Sequence, residues 1–184
     1  MSKLKFFPIL FIPIILAGCL SSLHPLYSEN TKFFDPGLIG SWVEEGGSDT
    51  LIFTETGHKR FQFIYSEKGK RAEFEVYLAK LGETHFIDIT PVETKAENDL
   101  WSMLMIPAHI FGVYKRVGDQ MNINMLNDDR LTEQLKKKTL VLPFEETDNN
   151  IVLTASTDQL QKFAQDYATD TAVFQPGKPF QKIR

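Results

Sequence analysis

The stretch Arg71 to Leu81 is the clearest alternation in the chain, with Ala72, Phe74, Val76 and Leu78 on one side and Arg71, Glu73, Glu75 and Tyr77 on the other. A side-chain period of two belongs to a strand, so one face of this segment is apolar and the other polar. The pattern extends in both directions. Ser41 to Glu45 reads as a short strand closed by Gly46-Gly47, and Asp49 to Glu55 as a second. Arg60 to Ser66 is a third, with Phe61, Phe63 and Tyr65 on one face. Glu67-Lys68-Gly69-Lys70 turns the chain into Arg71–Leu81, and Gly82-Glu83 turns it into His85 to Thr90. Strands joined by links this short form an antiparallel meander.

The second half mixes strands with helices. His109 to Val117 and Gln120 to Leu126 flank a Gly118-Asp119 turn. Asn127 is placed to cap a helix to about Lys138; Asp128 and Asp129 in its first turn and Lys136 to Lys138 at its end complement the helix dipole. Leu131 and Leu135 are its expected buried pair. Asn150 to Thr154 is another strand. Ser156 and Gln159 form a capping box for a helix through about Tyr167. Leu160, Phe163, Ala164 and Tyr167 recur at i, i+3, i+4 and i+7, an amphipathic stripe. Phe180 to Arg184 is the last strand. The expected fold is therefore mainly β: an antiparallel barrel or meander with two short surface helices. Roughly eight strands closed into a barrel enclose side chains or one small ligand. Twelve phenylalanines lie after residue 18, enough either to fill such an interior or to line an apolar cavity.

The N-terminus sets the expected compartment. Lys3 and Lys5 precede an apolar run from Phe6 to Leu16, followed by the small residues Ala17 and Gly18. That is the anatomy of a secretory signal. The run holds Pro8 and Pro13 and is too short to span a hydrocarbon core of about 30 Å. The single cysteine of the chain ends it, in Leu16-Ala17-Gly18-Cys19. These four residues resemble a bacterial lipobox. The resemblance implies cleavage before Cys19, a diacylglyceryl group on its thiol and acylation of the new amine, and hence partnership with a membrane through this N-terminal lipid. Two or more chains anchor a protein stably, at roughly 0.8 kcal/mol per buried CH₂. Loss of Lys3 and Lys5 moves the net charge from −4 to −6. Leu20, where an Asp commonly retains Gram-negative lipoproteins in the inner membrane, implies outer-membrane sorting on the periplasmic side. The expected organisation is a signal over 1–18, a lipidated polar tether over 19–30 and a single β-rich domain over 31–184.

Gly40-Ser41-Trp42 opens the first strand of the meander and resembles the Gly-x-Trp of lipocalins and their calycin relatives. There the Trp closes the bottom of the barrel. With Pro25-Leu26-Tyr27 and Leu153-Thr154-Ala155-Ser156-Thr157, the chain also resembles a group of bacterial lipoproteins, a resemblance that brings no activity with it. The lone cysteine leaves no internal disulfide, and a helix is expected to interrupt the later strands; lipocalins differ on both points.

Motifs for catalysis are sparse. The weak acidity argues against general nucleic-acid binding, which needs a basic face. The chain has no His-Glu-x-x-His, no Gly-x-Ser-x-Gly and no phosphate-binding Gly-rich loop. His24, His58, His85 and His109 show no metal-ligand spacing, so no metal, cofactor or enzymatic activity is expected. Glu44-Glu45 and Glu145-Glu146 read as solvated charges. Two features carry the candidate site. His109, at the start of its strand, is either a polar contact in the barrel mouth or a hydrogen-bonded structural histidine. Leu100 to Ile106 fits neither period, and Trp101, Met103 and Met105 are expected to cover the interior from one end as lid or plug. The expected partner, besides the membrane, is a small apolar ligand in the barrel or an envelope protein.

Overall fold

The computed structural model describes residues 20–92, 106–147 and 150–183. The signal segment, Cys19, Trp101, Met103 and Met105 lie outside the described residues. In chain order the strands are β1 (Leu20–Ser22), β2 (Lys32–Phe33), β3 (Gly40–Glu44), β4 (Thr50–Gly57), β5 (Arg60–Glu67), β6 (Lys70–Leu81), β7 (Thr84–Pro91), β8 (Ile110–Val117) and β9 (Gln120–Leu126). Helix α1 (Asp128–Lys136), β10 (Phe144–Glu146), β11 (Ile151–Leu153), helix α2 (Thr157–Tyr167), β12 (Phe174–Gln175) and β13 (Phe180–Ile183) follow.

Strands β3 to β9 pair each with the next, all antiparallel. Strand β13 then closes the ring by pairing with β3 on one side and β9 on the other. The result is a closed eight-stranded, lipocalin-like barrel. Among the described residues each barrel strand is thereby paired on both sides, and closure of this kind removes the free edges that could recruit another chain. The expected meander is thus the barrel wall, and the alternation holds in register. Val76 lies opposite Ile89 and Leu78 opposite Ile87, all facing inward, with Phe61, Phe63 and Phe53 on the neighbouring strands. Phe53 and Phe63 stack at 4.7 Å between ring centroids, and Phe34 stacks on Phe61 at 5.1 Å.

Between β9 and β13 the chain leaves the barrel to build an outer layer. Helices α1 and α2 form as expected. Asn127 accepts the Arg130 N–H at 3.1 Å, and Ser156 and Gln159 cap α2 reciprocally. Leu131, Leu135, Leu160, Phe163 and Ala164 are buried, the faces the periodicity assigns to them. They pack with Ala79, Leu81, Phe86 and Phe111 on the outside of the barrel wall, forming a second apolar core. Strand β7 is therefore buried on both faces, with Ile87 and Ile89 in the barrel and Phe86, Asp88 and Thr90 under the outer layer.

The tether expected over 19–30 differs from what the structure describes. Leu20–Ser22 runs parallel to β11, with Leu20 opposite Ile151, and β10 completes a small sheet. Ser22 and Leu26 have no exposed surface. A polar-looking decapeptide is drawn into the fold because β11 offers a free edge and Asp88 a buried acceptor, both far away in sequence. Glu145 and Glu146, read as solvated charges, are exposed on β10, where Glu146 pairs with Lys136 at the surface.

Candidate functional site

One end of the barrel is stoppered by a knot of polar side chains around a single helical turn, Pro36–Leu38. Asp35 caps this turn by accepting the Gly37 N–H at 2.9 Å. The Arg116 guanidinium grips the same carboxylate with both arms, at 2.8 and 2.7 Å, and the Tyr114 hydroxyl donates to it at 2.7 Å. Burial opposes the charge on Asp35, yet these donors hold its carboxyl below the usual range. The Tyr114 hydroxyl is pushed well above its ordinary value by burial and by its bond to Asp35. Leu38 fills the opening, and Trp42 lies above it, fully buried, its Nε1–H donating to the Leu38 carbonyl at 2.9 Å. Lys182 crosses the indole face at 5.3 Å from the ring centroid and donates to the Gly37 carbonyl at 2.9 Å. Gly40 supplies the φ of +129° that swings the chain from this turn into β3. Trp42 of Gly40-Ser41-Trp42 thus lies buried inside the stoppered end of the barrel.

The opposite end is where β7 stops and β8 begins, after the ladder from Pro91 back to Phe74. Tyr65, Phe74 and Phe180 are half-buried around the core cluster there, and the Tyr65 hydroxyl donates to Asp49 at 2.8 Å. Trp42, Phe53, Phe61, Val76, Leu78, Ile87 and Met121 have no solvent-accessible surface.

His109 lies outside the barrel interior. Its backbone bridges Ser22, and its ring occupies the seam between barrel wall and outer layer, with Nδ1 2.7 Å from Asp88 Oδ1. Asp88 is wholly buried, and its other oxygen accepts the Leu26 N–H at 2.7 Å. Tyr27 packs against Tyr77 at 4.2 Å and edge-on to His109 at 6.3 Å, and Lys32 covers both tyrosine rings. Burial, aided by the nearby Tyr77 and Asp88, raises the Tyr27 hydroxyl well above its ordinary value. This geometry is that of the hydrogen-bonded structural histidine, one of the two expectations for His109. The parity of β8 decides it, since His109 shares the outward face with the buried Phe111. Sequence reasoning gave Asp35 only a turn role, in Asp35-Pro36-Gly37, and passed over Arg116 and Asp88. The partners that make the knot and the seam are 21 to 81 positions away.

Among the described residues no three His, Cys, Asp or Glu side chains are grouped to hold a metal ion. No protein-family model, curated protein or solved structure matches this chain.

Proposed function

We propose that this chain is a lipoprotein of the bacterial envelope, held through acylated Cys19 in the outer membrane on its periplasmic side. Its barrel serves as a packed scaffold for contact with an envelope assembly, without catalysis. The lipobox residues Leu16-Ala17-Gly18-Cys19 support the anchor. The observation that carries the scaffold reading is the absence of accessible surface on Trp42, Phe53, Phe61, Val76, Leu78, Ile87 and Met121 inside the barrel. A pocket for a small molecule needs on the order of 300 Å³ or more. Side chains such as Phe53, Phe61 and Met121, at zero exposure, have no water-sized space beside them. The second reading, a small apolar ligand, is favoured only by the half-buried aromatic rim of Tyr65, Phe74 and Phe180.

The test is mass spectrometry of the protein purified from its own envelope in mild detergent, with Cys19→Ser alongside. The expected product starts at Cys19, carries the mass of its acyl groups and retains no small apolar molecule. Cys19→Ser should remain unprocessed or accumulate as soluble periplasmic protein. A Cys19→Ser variant that still fractionates with membranes at mature, lipidated mass refutes the anchor. A stoichiometric apolar molecule released from the purified protein refutes the filled scaffold.

A further inference from the structure

The fold leaves the anchor almost no slack. Cys19 is bonded to Leu20, so the two Cα atoms are about 3.8 Å apart. Leu20 is already a strand residue, 4% exposed and in ladder register with Ile151. A lipid on Cys19 is therefore joined directly to the folded body.

The surface beside this point is apolar. In β1, Leu20 and Ser22 face inward and Ser21 outward. Ser21 is opposite the half-buried Val152 of β11. The antiparallel bridge between Ser22 and His109 sets Ile110 beside Ser21 on the other side. Ile110 is 40% exposed, Leu23 one step further along the chain from Ser22 is 36% exposed, and Ile106 is 68% exposed. Half of the six large exposed hydrophobics among the described residues thus fall in the two segments that meet at this bridge. Glu145 lies only at the far edge of the row, opposite Val152.

We propose that the face formed by Ser21 of β1, Val152 of β11 and Ile110 at the start of β8, which continues the Ile89-bearing inner side of the barrel wall past its rim, rests on the head-group layer of the membrane that holds Cys19, with Leu23 and Ile110 as its apolar contacts. The occupant follows from the tether length. A body joined to the bilayer through one residue must lay some face on it, and this face adjoins the junction. The inference rests on the lipoprotein reading above.

The test uses the full-length, lipidated protein. Acylation consumes the only native thiol, so Ile110→Cys, or Leu23→Cys as a second position, takes an environment-sensitive fluorophore alone. Thr54→Cys on β4, four strands round the barrel from β8 in either direction, is the control. The samples are placed in phosphatidylethanolamine–phosphatidylglycerol vesicles containing lipids with brominated acyl chains. Labels at 110 and 23 should lose several-fold more fluorescence to the brominated lipid than the label at 54. Equal quenching at all three positions overturns the proposal. So does a label at 110 that is shielded from aqueous iodide yet untouched by brominated lipid, which indicates a protein or a second copy on this face. Acyl mass is measured on the same samples. Its absence refutes the anchor reading, and this contact with it, whereas acylated protein with a wet label at 110 refutes the contact alone.

Discussion

Replacing Trp42 by alanine tests the barrel stopper most directly. The indole is fully buried, donates to the Leu38 carbonyl at 2.9 Å and carries the Lys182 ammonium over its face at 5.3 Å. Truncating a buried Trp to Ala costs about 3–5 kcal/mol in lost burial and residual cavity. That is a large share of the roughly 5–15 kcal/mol that holds a typical domain together. With urea m-values of about 1–3 kcal/mol per M, the unfolding midpoint should fall by at least about 1 M. Trp42→Phe separates the terms. It keeps most of the apolar bulk but orphans the Leu38 carbonyl, a loss of about 1–3 kcal/mol. Ser41→Ala, on the outward side of the same strand, should shift stability by no more than about 0.5 kcal/mol. The measurement is urea unfolding followed by far-ultraviolet circular dichroism. Trp42→Ala unfolding together with wild type would refute the stopper. Equal losses in Trp42→Phe and Trp42→Ala would show that the hydrogen bond, not the packing, matters there.

Three further substitutions probe the rest of the frame. Asp88→Ala leaves the buried Leu26 N–H and His109 Nδ1 without partners, at about 1–3 kcal/mol each. It should destabilise more than His109→Ala in urea and open residues 20–30 to limited proteolysis; the reverse ranking sinks the latch. Asp35 has a folded-state pKa below its unfolded value, so its stabilisation is full above about pH 4 and lost as pH falls through the lower folded value. Asp35→Asn should thus lower the melting temperature at pH 7 and flatten its decline in acid, whereas parallel pH profiles contradict the knot. A methyl at Gly112 would sit 2.5 Å from the Asn124 carbonyl oxygen, so Gly112→Ala should cost about 1–3 kcal/mol, and an unchanged thermal melt argues against so close a β8–β9 approach.

Strands β4 to β7 and helices α1 and α2 were legible because their causes are local. Alternation, turn glycines and caps act within a few residues, and burial on one face then follows from the period. The Gly-x-Trp position was legible for the same reason, though the carbonyl that receives the indole proton was not. Sequence left open whether the aromatic residues fill or line the barrel; packing decided that for the described interior, where neighbours from several strands meet. His109 carried two expectations, and the sequence held nothing to choose between them. Its partner Asp88 lies 21 residues back, and only the closed β6–β7–β8 wall sets both on the outward face beneath a second layer. Residues 21–30 looked like a tether because a polar decapeptide has no internal reason to fold. They are ordered by β11, some 130 residues later, and by Asp88, 62 residues past Leu26. Local periodicity determined what each segment could become. The closing of the ring, which brings distant donors and acceptors together out of water, decided which polar groups are paired and which face lies beside Cys19.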